Sequence, residues 1–299
     1  MKLVFLATLD AILRRGSFAA AAEEVGLTPS AVSLQVKRLE EHFGQPLFDR
    51  TGRVVQPTAI ARELSSTMQE SLAKMDALRT RSQPQAAGRV TIGTIRTVQT
   101  STLPVALADV RRRHPQLSVR AVQGDSGVLL EQLKAGEIDA AVVIRPAGGG
   151  SKRLHWQLLA REAFVLIAPP DSTGATLSEL LAAHDWIQFD TTLTGGRMAA
   201  GYLHRLAPRA RSTIEIDSID TIVAMVSAGQ GLSVVPKPRH PISVAHPVRE
   251  IALGAQAPSR QIAFVSRGPD ADNRRIRALR EACEVAYNDP VHGVFHASP

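Results

Sequence analysis

The sequence predicts an α/β protein in three parts: a small all-α N-terminal domain, one long helix, and a larger C-terminal domain of alternating strands and helices. Three observations carry this expectation. Gly16 to Arg50 holds two short helical stretches, broken at Gly26 and restarted at Thr28-Pro29. Thr58 to about Arg81 keeps a single narrow apolar stripe. Beyond Gly88 short apolar runs alternate with amphipathic ones, the texture of crossover units on a parallel sheet.

In chain order, Leu3, Leu6, Leu9 and Leu13 recur at helical spacing and Asp10 interrupts the apolar run, which favours a helix over a secretory leader. Ser17 is placed to cap the Ala-rich helix Phe18 to Val25, and Gly26 to end it. Thr28 can cap the next helix and Pro29 fits its first position, so a second helix is expected from about Pro29 to Phe43. At about 100° per residue, Val32, Val36, Leu39 and Phe43 share the face to be buried. Ser30, Leu34, Lys37, Arg38 and Glu41 share the other. Short polar side chains in the first turns and cations behind them are what a helix needs to approach base edges while holding phosphates. Leu34 has two readings: apolar contact with a thymine methyl, or partial burial against the preceding helix.

The string A-V-S-L-Q-V-K-R-L-E-E-H-F-G-Q-P-L-F-D-R resembles the signature of LysR-type transcriptional regulators, with Phe18 to Lys37 in the place of their helix-turn-helix. T-G-R-V-V-Q-P-T-A-I-A-R-E-L, Thr51 to Leu64, is similar to the family's wing and the start of its linker helix. Many members have Arg or Gln where this chain has Leu34. The resemblance implies a winged helix-turn-helix domain over 1–58, a linker and dimerisation helix with its hinge over 59–87, and a two-lobed α/β effector-binding domain over 88–299. Lobe I would take about 88–162 and 268–299, and lobe II about 163–267.

Composition agrees with a DNA-binding protein without demanding one. The formal charge is +7, but over residues 1–60 seven cations (Lys2, Arg14, Arg15, Lys37, Arg38, Arg50, Arg53) meet six acids. The argument for DNA rests on the face that carries the cations, and net charge is a supporting term. One cysteine, Cys283, excludes an internal disulfide and a Cys-based zinc site, as suits a reducing cytoplasm. No stretch approaches the roughly 20 apolar residues needed to cross a bilayer, and nothing points to a cofactor or metal.

The stripe Ile60, Leu64, Met68, Leu72, Met75, Leu78 suits pairing with another helix, and packing on its own domain is the alternative. Strands are expected at Arg89–Ile95, Leu117–Val122, Ile138–Ile144, Ala163–Ala168, Trp186–Phe189, Thr213–Ile216, Leu232–Val235 and Gln261–Arg267, the last a return crossing. Helices are expected near Thr102–Arg113, Val128–Gly136, Leu177–Ala183, Arg197–Leu206, Ile219–Ala228 and Asp272–Tyr287.

A cleft between two such lobes binds small molecules where strand ends and helix starts converge. Candidate effector-binding residues are Thr97, Gln99, Thr100 and Ser101 after the first strand, Ser126 as cap of the next helix, Arg145 after the third strand, and Thr191 and Thr194 at a helix start in the second lobe. Free N–H groups and hydroxyls there would hold an anion, although Ser and Thr at helix starts are most often caps. Arg96 could neutralise such an anion or belong to a subunit contact. Arg111-Arg112-Arg113 ends a helix, where cations complement the dipole.

Candidate DNA-binding residues are Ser30, Ser33 and Leu34 for bases, and Lys37, Arg38, Arg50 and Arg53 for phosphate or, for the wing arginines, the minor groove. The expected function is a sequence-specific transcriptional regulator controlled by a small anionic effector, bound to an interrupted inverted repeat in double-stranded DNA. The family resemblance implies a homo-oligomer, a dimer through the linker helix and a tetramer of two dimers. A sequence-tolerant DNA-packing protein would not need two lobes. An enzyme would need a catalytic motif, and the chain lacks His-Glu-x-x-His and Gly-x-Ser-x-Gly.

Overall fold

A computed structural model of the chain describes residues 3–49, 55–65, 67–68, 71, 85–174, 176–208 and 212–288. They fall into two compact units, 1–82 with 134–137 and 83–133 with 138–299.

In the N-terminal unit, helices α1 (Leu3–Arg15), α2 (Phe18–Val25) and α3 (Pro29–Phe43) are followed by strands β1 (Phe48–Asp49) and β2 (Gln56–Pro57) and by helix α4, which begins at 59–65. Local chemistry sets each boundary. Ser17 Oγ accepts from the Ala20 N–H, Gly26 takes φ 67°, Thr28 Oγ1 accepts from the Ala31 N–H, and Gly44 takes φ 66°. The three helices bury Leu6, Leu9, Ile12, Ala21, Val32, Val36 and Leu39 in one core. Two side chains then fix the wing. The Glu40 carboxylate accepts from the Leu47 N–H at 2.9 Å, and the Thr58 hydroxyl donates to Pro46 or Leu47 carbonyls at 3.0–3.1 Å. The strands pair antiparallel, Phe48 with Pro57 and Asp49 with Gln56.

The apolar stripe of the linker begins on the domain's own core. Ala61 and Met68 are buried there, Ile60 and Leu64 pack against it, and Ser65 donates to Asp10 at 3.0 Å. A helix that leaves a wing beside α1 covers that core first, so Ile60, Leu64 and Met68 have a partner within the chain. Leu72, Met75 and Leu78 lie outside the described residues.

The C-terminal unit comprises β3 (Gly88–Thr94), α5 (Arg96–Arg113), β4 (Leu117–Gln123), α6 (Ser126–Ala135), β5 (Ala140–Ile144), β6 (Leu154–Ala168), α7 (Leu177–Ala183), β7 (Trp186–Phe189), α8 (Thr194–Leu206), β8 (Ser212–Ile216), α9 (Ile219–Ser227), β9 (Ser233–Pro236), α10 (Ile242–Ala245), β10 (Arg249–Ala252), β11 (Ser259–Arg267) and α11 (Arg274–Asn288). In lobe I, β3 runs parallel to both β4 and β5, and β11 lies antiparallel between β5 and the first part of β6. In lobe II, the end of β6 is flanked antiparallel by β9 and β10, and β7 pairs parallel with β8. A Trp186–Leu232 bridge ties β7 toward β9.

Several boundaries differ from the sequence expectation. Strand β6 has 15 residues and begins at Leu154 rather than Ala163; its first half is a sheet edge with weak apolar alternation. Strand β10 and the short α10 have no counterpart in the expectation. Helix α5 starts at Arg96 rather than Thr102, with exposed Pro104 inside it instead of at its first turn. Helix α8 starts at Thr194 rather than Arg197, because Gly195 and Gly196 are themselves helical. The expected lobe II of 163–267 ends too late: β11 hydrogen-bonds to β5, so lobe II closes near residue 258. Cys283 is fully buried on α11, which pushes its thiol up to about 12. No helix of the described residues is long and apolar enough to cross a membrane.

Where this unit begins, the Ala86 N–H donates to His114 Nδ1 at 3.1 Å, so that nitrogen must be unprotonated. Burial, and then the Arg113 charge, hold the imidazole below its ordinary value. A depressed histidine contributes stability above the ordinary value near pH 6.5 and loses it as pH falls through the folded value. Urea unfolding should therefore show a loss of no more than about 1 kcal/mol on acidification through that window. H114Q should abolish this part of the pH dependence; an unchanged profile would remove the assignment.

Candidate functional site

Two arrangements carry chemistry, one in each unit. In the first, the face of α3 opposite Val32, Val36 and Leu39 is open. Ser30, Ser33, Leu34, Lys37, Arg38 and Glu41 are exposed, Leu34 to 51%. Partial burial of Leu34 against the preceding helix is thereby set aside. Lys37 Nζ lies 4.0 Å from Glu41, and the Arg38 guanidinium sits 6.0 Å from the centroid of the Phe5 ring, which aims it along the start of α1. Arg50 and Arg53 lie outside the described residues. The Thr28 and Ser30 hydroxyls are 3.0 Å apart at the start of this face. Thr8 reaches Gln35 Oε1 at 2.7 Å and sets α1 against α3.

The second arrangement is a cleft of about 440 Å³ between lobes I and II, with Thr97, Ser126, Phe189, Thr194, Arg197 and Arg260 among its lining. Four helices of the two lobes, α5, α6, α8 and α9, put residues of their first turns into its wall. Helices α5 and α8 have Ile95 and Leu193 at their cap positions, with no side-chain cap. Their first N–H groups are therefore left for water or a ligand. The first turn of α8 is also tightly packed: a Cβ on Gly196 would stand 1.8 Å from the Asp190 carbonyl oxygen, and one on Gly195 would stand 2.9 Å from the Phe189 ring.

The expected residues divide. Thr97, Ser126 and Thr194 line the cleft. Ser126 does not cap its helix as expected; it lies in the first turn and its Oγ accepts from the Ile144 N–H at 3.1 Å, tying α6 to β5. Thr100 and Ser101 line a smaller recess behind, with Asp220 and Arg239. Burial raises the Asp220 carboxyl, offset by a hydrogen bond from Thr100 and the charge of Arg96. Gln99, Arg145 and Thr191 are not among the residues lining the cleft. On a helix beginning at Arg96, Gln99 lies about 200° from Thr97. Arg145 donates to the Gly149 carbonyl and lies 6.0 Å from the Trp156 ring, while Thr191 is held by Glu215.

The charged groups at the floor have no local signal in the sequence. Arg260 Nε donates to Glu162 at 2.7 Å and its Nη2 donates to Thr97 Oγ1 at 3.0 Å, while Arg239 Nη1 stands 3.6 Å from the other Glu162 oxygen. Arg239 lies 4.4 Å from the Tyr287 ring centroid. Burial and the Glu162 charge push the Tyr287 hydroxyl up, so it stays neutral. At the mouth, Arg96 pairs with Asp217 at 3.5 Å across the lobes.

Residues 3–62 match the family described as bacterial regulatory helix-turn-helix protein, lysR family, and residues 83–286 match the LysR substrate binding domain. The chain is 32% identical over 231 residues to the HTH-type transcriptional regulator DgdR of Burkholderia cepacia, covering 75% of this chain and 74% of that one. It is 29% identical over 294 residues to the uncharacterized HTH-type transcriptional regulator YfeR of Shigella flexneri, covering 93% and 89%. Among solved structures, full-length OxyR from Pseudomonas aeruginosa is similar with a TM-score of 0.76 at 23% identity, covering 98% of this chain and 96% of that one. Full-length LysG from Corynebacterium glutamicum with bound effector Arg gives 0.67 at 22%, covering 96% and 98%. These two likenesses concern the fold.

The close packing at the start of α8 has a measurable consequence. G196A should lower stability by about 1–3 kcal/mol, because the Asp190 backbone must move. G201A, on the same helix with open space around it, should raise it by roughly 0.5–1 kcal/mol. Equal urea midpoints for the two variants would contradict the packing account.

Proposed function

Because the chain belongs to the LysR family of bacterial transcriptional regulators, we propose that it binds an interrupted inverted repeat through α3 and the wing, under control of a small anionic molecule held between lobes I and II. The observation that carries the DNA half is the open face of α3, on which Ser30, Ser33 and Leu34 precede Lys37 and Arg38. Short hydroxyls and one apolar side chain suit base edges and a thymine methyl; the cations suit phosphates on either side. Arg50 and Arg53 are assigned to the backbone or the minor groove by their place in the wing sequence.

The control half rests on the cleft. Uncapped N-termini of α5 and α8 and the arginines on its wall favour a ligand with negative charge. A ligand shifts the protein only if it binds two arrangements of the lobes differently. Two copies, paired through the part of the linker helix beyond Met68, would present α3 to successive major grooves with half-sites about one helical turn apart. Two such dimers would form a tetramer. The relatives are regulators, and the same cleft with catalytic groups in it would be needed for an enzyme reading.

Footprinting on DNA upstream of its own gene, with excess random competitor, should show protection of an inverted repeat and a preference over random DNA of roughly a thousandfold or more. K37A should weaken binding to all sequences alike and lower the salt slope by about one. L34A should change base preference instead. Equal losses on every sequence for both variants would defeat that division, and uniform binding to random DNA would favour a packing protein.

A further inference from the structure

Over its first half, strand β6 is used on one edge only. It pairs with β11 from Leu154 to Ala163, and β9 takes up pairing only from Phe164 onward. The two edges can be told apart where these ladders meet. Phe164 donates its N–H to the Pro258 carbonyl on the β11 edge at 3.0 Å, while the Ala163 carbonyl accepts from the Lys237 N–H on the other edge at 2.9 Å. Successive residues of a strand turn their N–H and C=O groups to opposite edges, so Arg161 presents its own pair on the side of Lys237. From Leu154 to Glu162 no strand among the described residues pairs with that side. An edge of this kind is a template for a further strand.

The side chains along this edge carry charge of one sign. From Ala140 to Arg161 the chain has four cations, Arg145, Lys152, Arg153 and Arg161, and no acid. Lys152, Arg153 and Arg161 are exposed and pair with no carboxylate among the described residues. Of the acids on neighbouring strands, Glu162 is buried against Arg260 and Glu250 faces Lys237 at 3.2 Å, while Asp270, after β11, is buried against Arg267. The loop before β6 is seated on the strand itself. Trp156 Nε1 donates to the Ser151 carbonyl at 3.1 Å, Arg145 Nε donates to the Gly149 carbonyl at 3.3 Å, and a Cβ on Gly150 would stand 2.3 Å from the Trp156 ring. Lys152 and Arg153 are thereby set at the start of the open edge, with Arg161 near its end. Between them Leu158 is 38% exposed.

We propose that the open edge of β6 in lobe I receives an acidic, extended peptide segment of a partner protein, which adds to the sheet as a further strand. Main-chain hydrogen bonds would supply the affinity. Carboxylates placed opposite Lys152 and Arg153 at one end and Arg161 at the other would supply the selection, with an apolar side chain between them against Leu158. A second copy of the edge would set cations against cations. Charge of either sign keeps an edge apart from its own copy; charge of a single sign also chooses what else the edge accepts. None of the residues from Arg145 to Arg161 lines the cleft between the lobes.

The test uses the full chain and a fluorescent peptide of alternating Val and Thr with Asp at both ends, read by anisotropy and by amide hydrogen exchange. One control peptide has Lys in place of Asp. A second is N-methylated at alternate residues, so that it keeps its charge and loses the main-chain donors of one edge. The Asp peptide should bind wild-type protein and slow exchange of the Arg161 amide, and both controls should bind roughly tenfold or more weakly. R153E/R161E should weaken the Asp peptide by a similar factor and strengthen the Lys peptide. R112Q removes an exposed charge elsewhere on lobe I and should leave binding as in wild type. If R153E/R161E does not fold, the N-methylated peptide on wild type decides. No binding of the Asp peptide, equal binding of its N-methylated form, or undiminished binding by R153E/R161E would each overturn the proposal. A changed oligomeric state of R153E/R161E in sedimentation, or displacement of the peptide by random duplex DNA, would overturn it in favour of a second copy or of nucleic acid.

Discussion

Glu162 and Arg260 meet side by side on the two strands that join the lobes, 2.7 Å apart, with nearly all of both side chains out of water. They are register partners near one end of the β6–β11 ladder, just before β6 leaves lobe I to pair with β9 and β10. A buried charge is tolerated only with its partner and its remaining hydrogen bonds in place. Thr97 supplies one such bond from lobe I, and Arg239 brings a second cation from the segment after β9. The chemistry of the crossing point thus fixes where the lobes meet and puts charge at the floor of the space between them.

The walls follow from the same topology. In parallel crossover units each strand ends where the next helix begins, so helix N-termini collect along one edge of the sheet. Here α5 and α8 reach that edge with aliphatic cap residues and, in α8, a glycine pair pressed against Phe189 and Asp190. Their unsatisfied N–H groups and the Arg260 guanidinium have the same sign. The N-terminal unit makes the opposite use of caps: Ser17 and Thr28 close their helices with side-chain bonds, leaving the exposed face of α3 as the surface with unspent chemistry.

What was legible beforehand divides along the distance over which the interaction acts. The turn at Gly26, the caps at Ser17 and Thr28 and the burial of Val32, Val36 and Leu39 are set by residues within one or two turns, and the sequence states them directly. The wing strands depend on Glu40 reaching Leu47 and Phe48, still within one motif. The cleft was expected in outline, and Thr97, Ser126 and Thr194 do line it. Gln99 falls outside the cleft lining because on α5 it lies about 200° from Thr97. Arg145 and Thr191 were misplaced because their partners, Trp156 and Glu215, belong to other strands. Arg260 was invisible for a stronger form of the same reason: Glu162 is 98 positions away. A lone arginine before an apolar run reads as a sheet-edge residue until the ladder is known.

The most direct measurement is a double-mutant cycle on that pair, comparing wild type, E162Q, R260M and the double variant by urea unfolding of the C-terminal transition. E162Q removes the carboxylate that Arg260 and Arg239 share and should cost about 3–5 kcal/mol, whereas R260M leaves Glu162 beside Arg239 and should cost less. The double variant should cost less than the sum of the two, because the Arg260 charge that E162Q strands is removed with it. Small and additive losses would show that the crossing point does not depend on the ion pair, and would contradict the account at its base.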